Sequence, residues 1–220
     1  MKIETPHDLA ARLDAILWNP AATHATVDSL CVFALANKIR AVCVNTSRVV
    51  TVAARLEESD VKTVALVGFP LGAMDADARR YEMELAFDLG AQEVEVVLSL
   101  GQIKDGDSKK LLRELRDFAE AADERPVGVT VELARLTREE LRLVGEVVRE
   151  SGVQQVCTST DFWPDSQVTL EGLEQLREVV GEKLQIKAVG GIREAALAQV
   201  LLEGGAAVVG STNMAGLLGP

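Results

Sequence analysis

Short runs of β-branched and other apolar residues alternate along this chain with longer segments whose apolar residues recur at helical spacing. Short apolar runs are typical of buried strands, whereas apolar positions three and four residues apart are typical of helices that pack on one face. We predict helices over 27–38, 78–90, 108–123, 137–152, 170–182 and 193–205, several of which end at glycine. We predict strands over 13–17, 39–44, 62–69, 93–100, 127–133, 153–159, 184–190 and 206–211.

The alternation continues to the C-terminus and is not interrupted by a low-complexity linker. Strands that alternate with helices are typical of α/β folds with a parallel sheet. Eight strand–helix units favour a closed (β/α)8 TIM barrel, with an open doubly wound sheet of similar length as the alternative. We therefore expect a single TIM-barrel domain over residues 1–220.

The charge balance excludes several classes of partner. With 23 Lys and Arg against 34 Asp and Glu, the 220-residue chain carries a formal net charge of -11. Binding to nucleic acid or to an anionic membrane surface requires clustered basic residues, so we expect neither partner. The three cysteines, Cys31, Cys43 and Cys157, do not form the framework of a disulfide-rich secreted protein, and no apolar run reaches the length of a membrane span. We predict a cytoplasmic protein.

Three predicted strands carry polar or reactive residues within otherwise apolar runs. These are Glu95 in the fourth run, Cys157 in the sixth and Lys187 in the seventh. A lysine or glutamate inside a strand is costly to bury unless it is paired. Active sites of parallel barrels lie at the C-terminal ends of the strands, so polar strand positions are candidates for chemistry. The alternative is that Glu95 and Lys187 face the helices and are partly reached by water.

Seven segments in chain order resemble a known family: VCVN at 42–45, VGFPLGA at 67–73, EVEVVLSLG at 93–101, VTVELARLT at 129–137, VCTSTDF at 156–162, KAVGGIR at 187–193 and VGST at 209–212. Together they are similar to the deoxyribose-phosphate aldolase family from Leu13 to the C-terminus. The resemblance implies a (β/α)8 barrel and a class I aldolase that cleaves 2-deoxyribose 5-phosphate without a metal or other cofactor. In that chemistry a neutral lysine amine adds to a carbonyl, and the resulting iminium accepts electrons during C–C cleavage.

The resemblance also implies catalytic residues, one of which is replaced. The family's imine-forming lysine precedes Thr-Ser-Thr in the sixth strand, where this chain has Cys157. A second family lysine corresponds to Lys187, and the family's fourth-strand carboxylate corresponds to Glu95. A thiol forms no iminium, so Cys157 is either inert or adds to an aldehyde as a thiohemiacetal. Glu95 favours the charged form of Lys187 whereas burial favours the neutral amine, which leaves imine formation at Lys187 open.

The segments associated with substrate binding are altered too. Asp161 replaces a glycine in the loop that the resemblance associates with phosphate, and at about 5 Å its charge would repel phosphate by about 3 kcal/mol per unit charge. Glycine-rich turns that lead into helices offer N–H groups to anions, although such turns are also common in loops that have no binding role. The altered positions favour a substrate less anionic than the family's. We expect the substrate-binding residues to be Asp14, Cys43, Glu132, Thr158, Ser159, Asp161, Gly190, Gly191, Gly210, Ser211 and Thr212.

Three functions from different classes remain open. The first is a lyase of this family acting on a small aldehyde or sugar-derived substrate, with Lys187 as the remaining lysine and Glu95 as acid or base. The second is imine-independent proton transfer, dehydration or cyclisation on a non-phosphorylated substrate, with the same residues and Cys157. The third is a non-catalytic small-molecule-binding protein. The resemblance suggests a homodimer or larger homo-oligomer, and we expect no metal site because His7 and His24 have no cysteine or aspartate cluster nearby.

Overall fold

The computed structural model describes residue 3 and residues 5–219 of the chain. Eight parallel strands pair in chain order and close into a barrel, because the last strand also pairs with the first. The (β/α)8 TIM barrel predicted from the sequence is confirmed, and the open doubly wound sheet is excluded. The strands are β1 Leu13–Leu17, β2 Ala41–Asn45, β3 Lys62–Val67, β4 Glu93–Val97, β5 Val127–Thr130, β6 Gln155–Cys157, β7 Gln185–Val189 and β8 Val208–Ser211.

Helices surround the barrel, and several of them begin at a residue whose side chain caps the first turn. The Thr137 side chain accepts a hydrogen bond from Glu140 N while the Glu140 carboxylate accepts one from Thr137 N, and the same helix ends at Gly152 in the left-handed region. Short 3-10 turns cover Thr46–Arg48 and Leu133–Arg135. The helices are α1 Pro6–Ala10, α2 His24–Asn37, α3 Val49–Leu56, α4 Ala76–Asp88, α5 Leu100–Lys104, α6 Ser108–Ala121, α7 Arg138–Ser151, α8 Leu170–Val180, α9 Ala195–Glu203 and α10 Met214–Leu218.

The buried apolar residues form two clusters, because side chains alternate across each strand. The larger cluster joins the outward-facing strand residues to the helices and includes Leu13, Val96 and Leu173. The smaller cluster fills the barrel interior with Ile16, Ala41, Cys43, Val64, Leu66, Cys157 and Val189, and Trp18 and Phe69 pack against it. Within the described part of the chain, no helix is both long and apolar enough to cross a membrane.

Candidate active site

Lys187 is enclosed in the barrel interior and is fully buried. Its Nζ lies 2.7 Å from Asp14 Oδ2, donates to Glu95 Oε1 and lies 3.4 Å from Cys43 Sγ. Gly210 on the neighbouring strand β8 leaves the space that the lysine occupies, since a Cβ there would lie 2.8 Å from Lys187 Cε. Lys187 and Glu95, which is also buried, therefore face each other inside the barrel and not the surrounding helices.

The charges around Lys187 keep it protonated. Asp14 is held from the other side by Arg40, whose Nε and second amino group lie 2.6 and 2.7 Å from its two carboxylate oxygens. Burial alone would raise the pKa of Asp14, but Lys187 and Arg40 lower it to about 2. Burial alone would lower the pKa of Lys187, but Asp14, Cys43 and Glu95 raise it well above its usual value. The amine is thus an ammonium ion that is paired with two carboxylates.

Asp14, Cys43 and Glu95 also form a group of potential metal ligands. Their ligand atoms all lie within 4.8 Å of one another. Lys187 Nζ contacts all three side chains, so the ammonium stands where a metal cation between them would have to lie. The donor set is therefore explained by the lysine, and it does not fit a metal while the lysine is in this position.

Cys157 lies beside Lys187 in the register between β6 and β7. Its side chain is buried, and Sγ donates to the Ser159 carbonyl over 3.3 Å. Burial and the Glu95 carboxylate raise the pKa of Cys157 to about 12, although Lys187 opposes the shift. Because the thiolate is the nucleophile, a cysteine in this environment is unreactive near neutral pH.

Glu132 organises the loop that follows β6. This buried carboxylate accepts hydrogen bonds from Thr160 N at 3.1 Å, from Ser166 Oγ at 3.1 Å and from Ser159 Oγ at 3.4 Å. Each of these donors belongs to the loop between β6 and α8. Hydrogen bonds to a charged group are stronger than neutral ones, so Glu132 fixes the course of the loop.

Asp161 places a carboxylate against the glycine-rich turn after β7. Its Oδ1 accepts a 2.8 Å hydrogen bond from Gly191 N, and its own N donates to Ser159 Oγ at 2.8 Å. Asp161 itself adopts a positive φ of 56°, a conformation that aspartate tolerates better than most residues. The backbone N–H expected to bind a substrate anion is thus already bonded to an anion of the same chain.

The other predicted binding residues hold the strands and turns together. Thr158 Oγ1 donates to Val189 O at 2.7 Å and accepts from Val189 N at 2.9 Å, which ties β6 to β7. Gly190 lies so close to the β6–α8 loop that a Cβ would be 1.9 Å from Ser166 O. After β8, Ser211 Oγ donates to Ile192 O and accepts from Asn213 N, and the next residue, Thr212, is exposed.

A separate cavity of about 350 Å³ opens at the C-terminal ends of the first three strands. Trp18, Phe69 and Phe162 line it, with the Trp18 ring centroid 6.1 Å from each of the other two. Glu82 supplies a carboxylate, which accepts from Thr46 Oγ1 at 2.6 Å and from Gly68 N at 2.8 Å. Among the described residues, none of the eleven binding and three catalytic candidates predicted from the sequence lines this cavity.

Sequence reasoning missed these cavity residues, although part of the signal was present. Trp18 and Phe162 follow the predicted strands 13–17 and 153–159, and Phe69 is the last residue of the predicted strand 62–69, at the end of the barrel where barrel enzymes bind ligands. Large aromatic residues in three such positions indicate a ligand pocket. Glu82 lies within helix α4, and no spacing pattern in the sequence distinguishes it from the exposed acidic residues of the same helix.

A closed barrel with a lysine held between carboxylates in its interior and a cavity at the C-terminal ends of its strands has the architecture of a TIM-barrel enzyme. Deoxyribose-phosphate aldolase of Bdellovibrio bacteriovorus is 34% identical over 205 residues, which cover 93% of this chain and 93% of that protein. Deoxyribose-phosphate aldolase of Deinococcus radiodurans is 34% identical over 210 residues, covering 96% and 95%. This chain belongs to the deoxyribose-phosphate aldolase family, which is a family of lyases.

Solved structures give the same result. The aldolase QR15 superposes with a TM-score of 0.91 at 26% identity, covering 96% of this chain and 94% of that one. The tetrameric deoxyribose phosphate aldolase from Aeropyrum pernix superposes with a TM-score of 0.91 at 25% identity, covering 99% and 92%. A scan against protein-family models found no match.

Proposed function

We propose that this chain is a divergent lyase of the family that acts on a small non-phosphorylated hydroxy-aldehyde or sugar-derived substrate by proton transfer and dehydration, without an imine. The main support is the protonated, ion-paired state of Lys187, a fully buried residue whose Nζ lies between Asp14 and Glu95. Only a neutral amine adds to a carbonyl. Cys157 stands in place of the imine-forming lysine, and the pairing of Lys187 with two carboxylates prevents that lysine from acting as a nucleophile. We therefore rank the imine-free function first.

The Asp161 carboxylate disfavours a phosphorylated substrate. It accepts the N–H of Gly191, which a phosphate oxygen would otherwise need, and it adds a negative charge at the same place. In the following turn, Asn213 N is bonded to Ser211 Oγ and Gly216 N to Asn213 Oδ1. A phosphorylated substrate would have to displace side chains at both turns and would meet a like charge at the first.

The chemistry is assigned to the cavity lined by Trp18, Phe69, Phe162 and Glu82. The Glu82 carboxylate removes the proton from the carbon next to the aldehyde, the resulting enolate expels the β-hydroxyl group, and that group takes the proton back and leaves as water. Trp18 Nε1 is buried and has no hydrogen-bond partner among the described residues, which leaves one unused donor in the wall of the cavity. The aromatic walls bind the apolar part of the substrate and exclude water.

Two measurements test this function. In deuterium oxide, we expect the wild-type protein to exchange the hydrogens next to the aldehyde of 2-deoxyribose, followed by NMR, and to convert 3-hydroxybutanal to its enal, followed by ultraviolet absorbance. Glu82→Gln should abolish both reactions, whereas the matched control Glu174→Gln, at an exposed position of α8, should leave them unchanged. Equal rates for Glu82→Gln and wild type would refute the assignment of Glu82, and an absence of both reactions in the wild type would refute the proposed chemistry.

The imine is tested by trapping. Wild type incubated with acetaldehyde and borohydride at neutral pH should give no reduced adduct in the mass spectrum, whereas Cys157→Lys is expected to give one at the new amine, whose pKa the neighbouring Lys187 ammonium lowers. An adduct mapped to Lys187 in the wild type would overturn the imine-free assignment. Adding Asp161→Gly to Cys157→Lys should then favour 2-deoxyribose 5-phosphate over 2-deoxyribose relative to Cys157→Lys alone, because the competing carboxylate is gone.

We also propose that the protein is a homo-oligomer and that it is cytoplasmic. A homodimer or larger homo-oligomer is supported by large apolar side chains on neighbouring helices, among which Val32, Val50 and Tyr81 are more than half exposed. A cytoplasmic location is supported by the three free cysteines. Light scattering after size-exclusion chromatography tests the assembly, and a monomer at micromolar concentration would contradict it.

A further inference from the structure

A second cavity, of about 590 Å³, opens at the opposite end of the barrel. It is formed by residues at the N-terminal ends of the strands, including Arg12, Lys62, Gln154 and Gln185, and it reaches inward as far as Glu95. Glu95 is one of the two carboxylates that pair with Lys187. The interior charge cluster is therefore approached from the N-terminal mouth, whereas neither Glu95 nor Lys187 lines the cavity at the C-terminal mouth.

The charges at this mouth leave one cation unbalanced, although the whole chain is acidic. Glu93 is paired with Lys62 and Arg40, Asp14 is paired with Arg40 and Lys187, and Glu95 is paired with Lys187. Arg12 differs from these residues. Its guanidinium donates to the Ala207 carbonyl at 3.1 Å and has no carboxylate partner among the described residues. Counting the connected groups, four cations face three carboxylates: Arg12, Arg40, Lys62 and Lys187 against Asp14, Glu93 and Glu95.

Gln155 gives a second and independent indication of a ligand. Only 8% of this residue is exposed, its side chain lines the cavity, and its amide has no hydrogen-bond partner among the described residues. Because this amide faces the cavity, its donor and its acceptor are both open to a bound molecule. Gly128 keeps the space in front of it open, because a Cβ there would lie 3.3 Å from Gln155 Oε1 and 3.5 Å from Glu95 Cγ.

From these observations we infer that the N-terminal mouth is a binding site for a small hydroxylated monocarboxylate. The planar guanidinium of Arg12 matches a carboxylate through two parallel hydrogen bonds. One unbalanced cation suits a singly charged ligand better than a phosphate dianion. Gln154, Gln155 and Gln185 offer amides that both donate and accept, as hydroxyl groups require. The site is separate from the aromatic cavity at the C-terminal mouth, and the inference does not depend on the function proposed for that cavity.

D-gluconate is a suitable probe because its neutral counterpart, D-glucitol, differs from it only in having a hydroxymethyl group in place of the carboxylate. We expect D-gluconate to bind the wild-type protein in calorimetric titration and to show saturation transfer by NMR, with D-glucitol at least about tenfold weaker. Arg12→Met, Gln155→Leu and Gly128→Leu should each weaken gluconate binding by about tenfold or more. The matched controls Arg113→Met and Gln199→Leu, at exposed helix positions, should leave the affinity unchanged.

Circular dichroism identifies variants that fail to fold, and at least Arg12→Met and Gln155→Leu change side chains at the wall of an open cavity without adding bulk. Unchanged gluconate affinity in these two folded variants would overturn the site. No binding to the wild type at tens of millimolar gluconate would also overturn it. Tighter binding of inorganic phosphate than of gluconate, lost in Arg12→Met, would reject the monocarboxylate as the ligand class.

Discussion

Replacing Lys187 by methionine should destabilise the protein by several kcal/mol, and the loss should depend on pH. Methionine is similar in length but removes the ammonium. Asp14 keeps Arg40 as its partner in the variant, whereas Glu95, which is buried, loses the only cation with which it is paired among the described residues. The folded variant can avoid a buried unpaired charge by taking up a proton at Glu95.

The cost of this proton uptake sets the expected magnitude. An ordinary glutamate in an unfolded chain has a pKa of about 4.3, and holding it neutral costs about 1.4 kcal/mol per pH unit above that value. At about pH 7 the loss is therefore about 3.7 kcal/mol, and at about pH 5 it falls to about 1 kcal/mol. The first value lies within the range of about 3–5 kcal/mol that is typical when one partner of a buried ion pair is removed.

Urea unfolding between about pH 5 and pH 7 measures the difference in free energy of unfolding between wild type and variant. Lys183→Met, at an exposed position, is the matched control and should change stability by less than about 0.5 kcal/mol. The double variant Lys187→Met with Glu95→Gln should lose the pH dependence, because no ionisable group remains at position 95. A Lys187→Met variant whose deficit is below about 1 kcal/mol at pH 7, or does not change with pH, would refute the ion-pair arrangement.

Three further outcomes are expected. Asp14 should stabilise the wild type by about 2 kcal/mol above about pH 4, an increment lost as the pH falls towards about 2, and acid titrations of unfolding should lack this increment in Asp14→Asn. Native Cys157 should resist iodoacetamide at about pH 8 and react in urea, as peptide mapping would report; fast labelling of the native thiol would contradict its burial. Gly145→Ala should cost about 1–3 kcal/mol in thermal unfolding, because its Cβ would lie 2.6 Å from Val179 Cβ, and an unchanged midpoint would show that α7 and α8 separate easily.

The barrel was predictable from the sequence because strand and helix periods differ and each strand carries its own apolar run. The predicted run 62–69 contains strand β3 at Lys62–Val67, and 13–17 matches β1 as observed. The errors lie at strand ends and in the shorter helices, because α1, α3, α5 and α10 were not predicted. We predicted one strand over 153–159, but β6 covers only Gln155–Cys157. The strand ends there because the Thr158 side chain bonds to Val189 and the backbone N–H of Thr160 bonds to the Glu132 carboxylate.

The environment of the interior lysine was less accessible to sequence reasoning. Alternation along the strands points to Lys187 and Glu95 together, but the charge on Lys187 also depends on Asp14, which is more than 140 residues away in the chain. Asp14 is held by Arg40 and comes close to Lys187 only when β8 closes on β1. Which cavity reaches the interior was also hidden. The cavity that reaches the interior depends on how Trp18 and Phe69 pack against the inner cluster, which is a matter of three-dimensional packing.

The hydrogen bond from Gly191 N to the Asp161 carboxylate affects how anions from solution can bind at this turn. A carboxylate tethered within the same loop network acts on that N–H at an effective concentration in the range of about millimolar or higher, whatever the solution contains. A free phosphate ester has to outcompete this tethered anion before it can accept the N–H of Gly191. Asp161 is thus an intramolecular competitor for any anion that would bind to the Gly191 N–H.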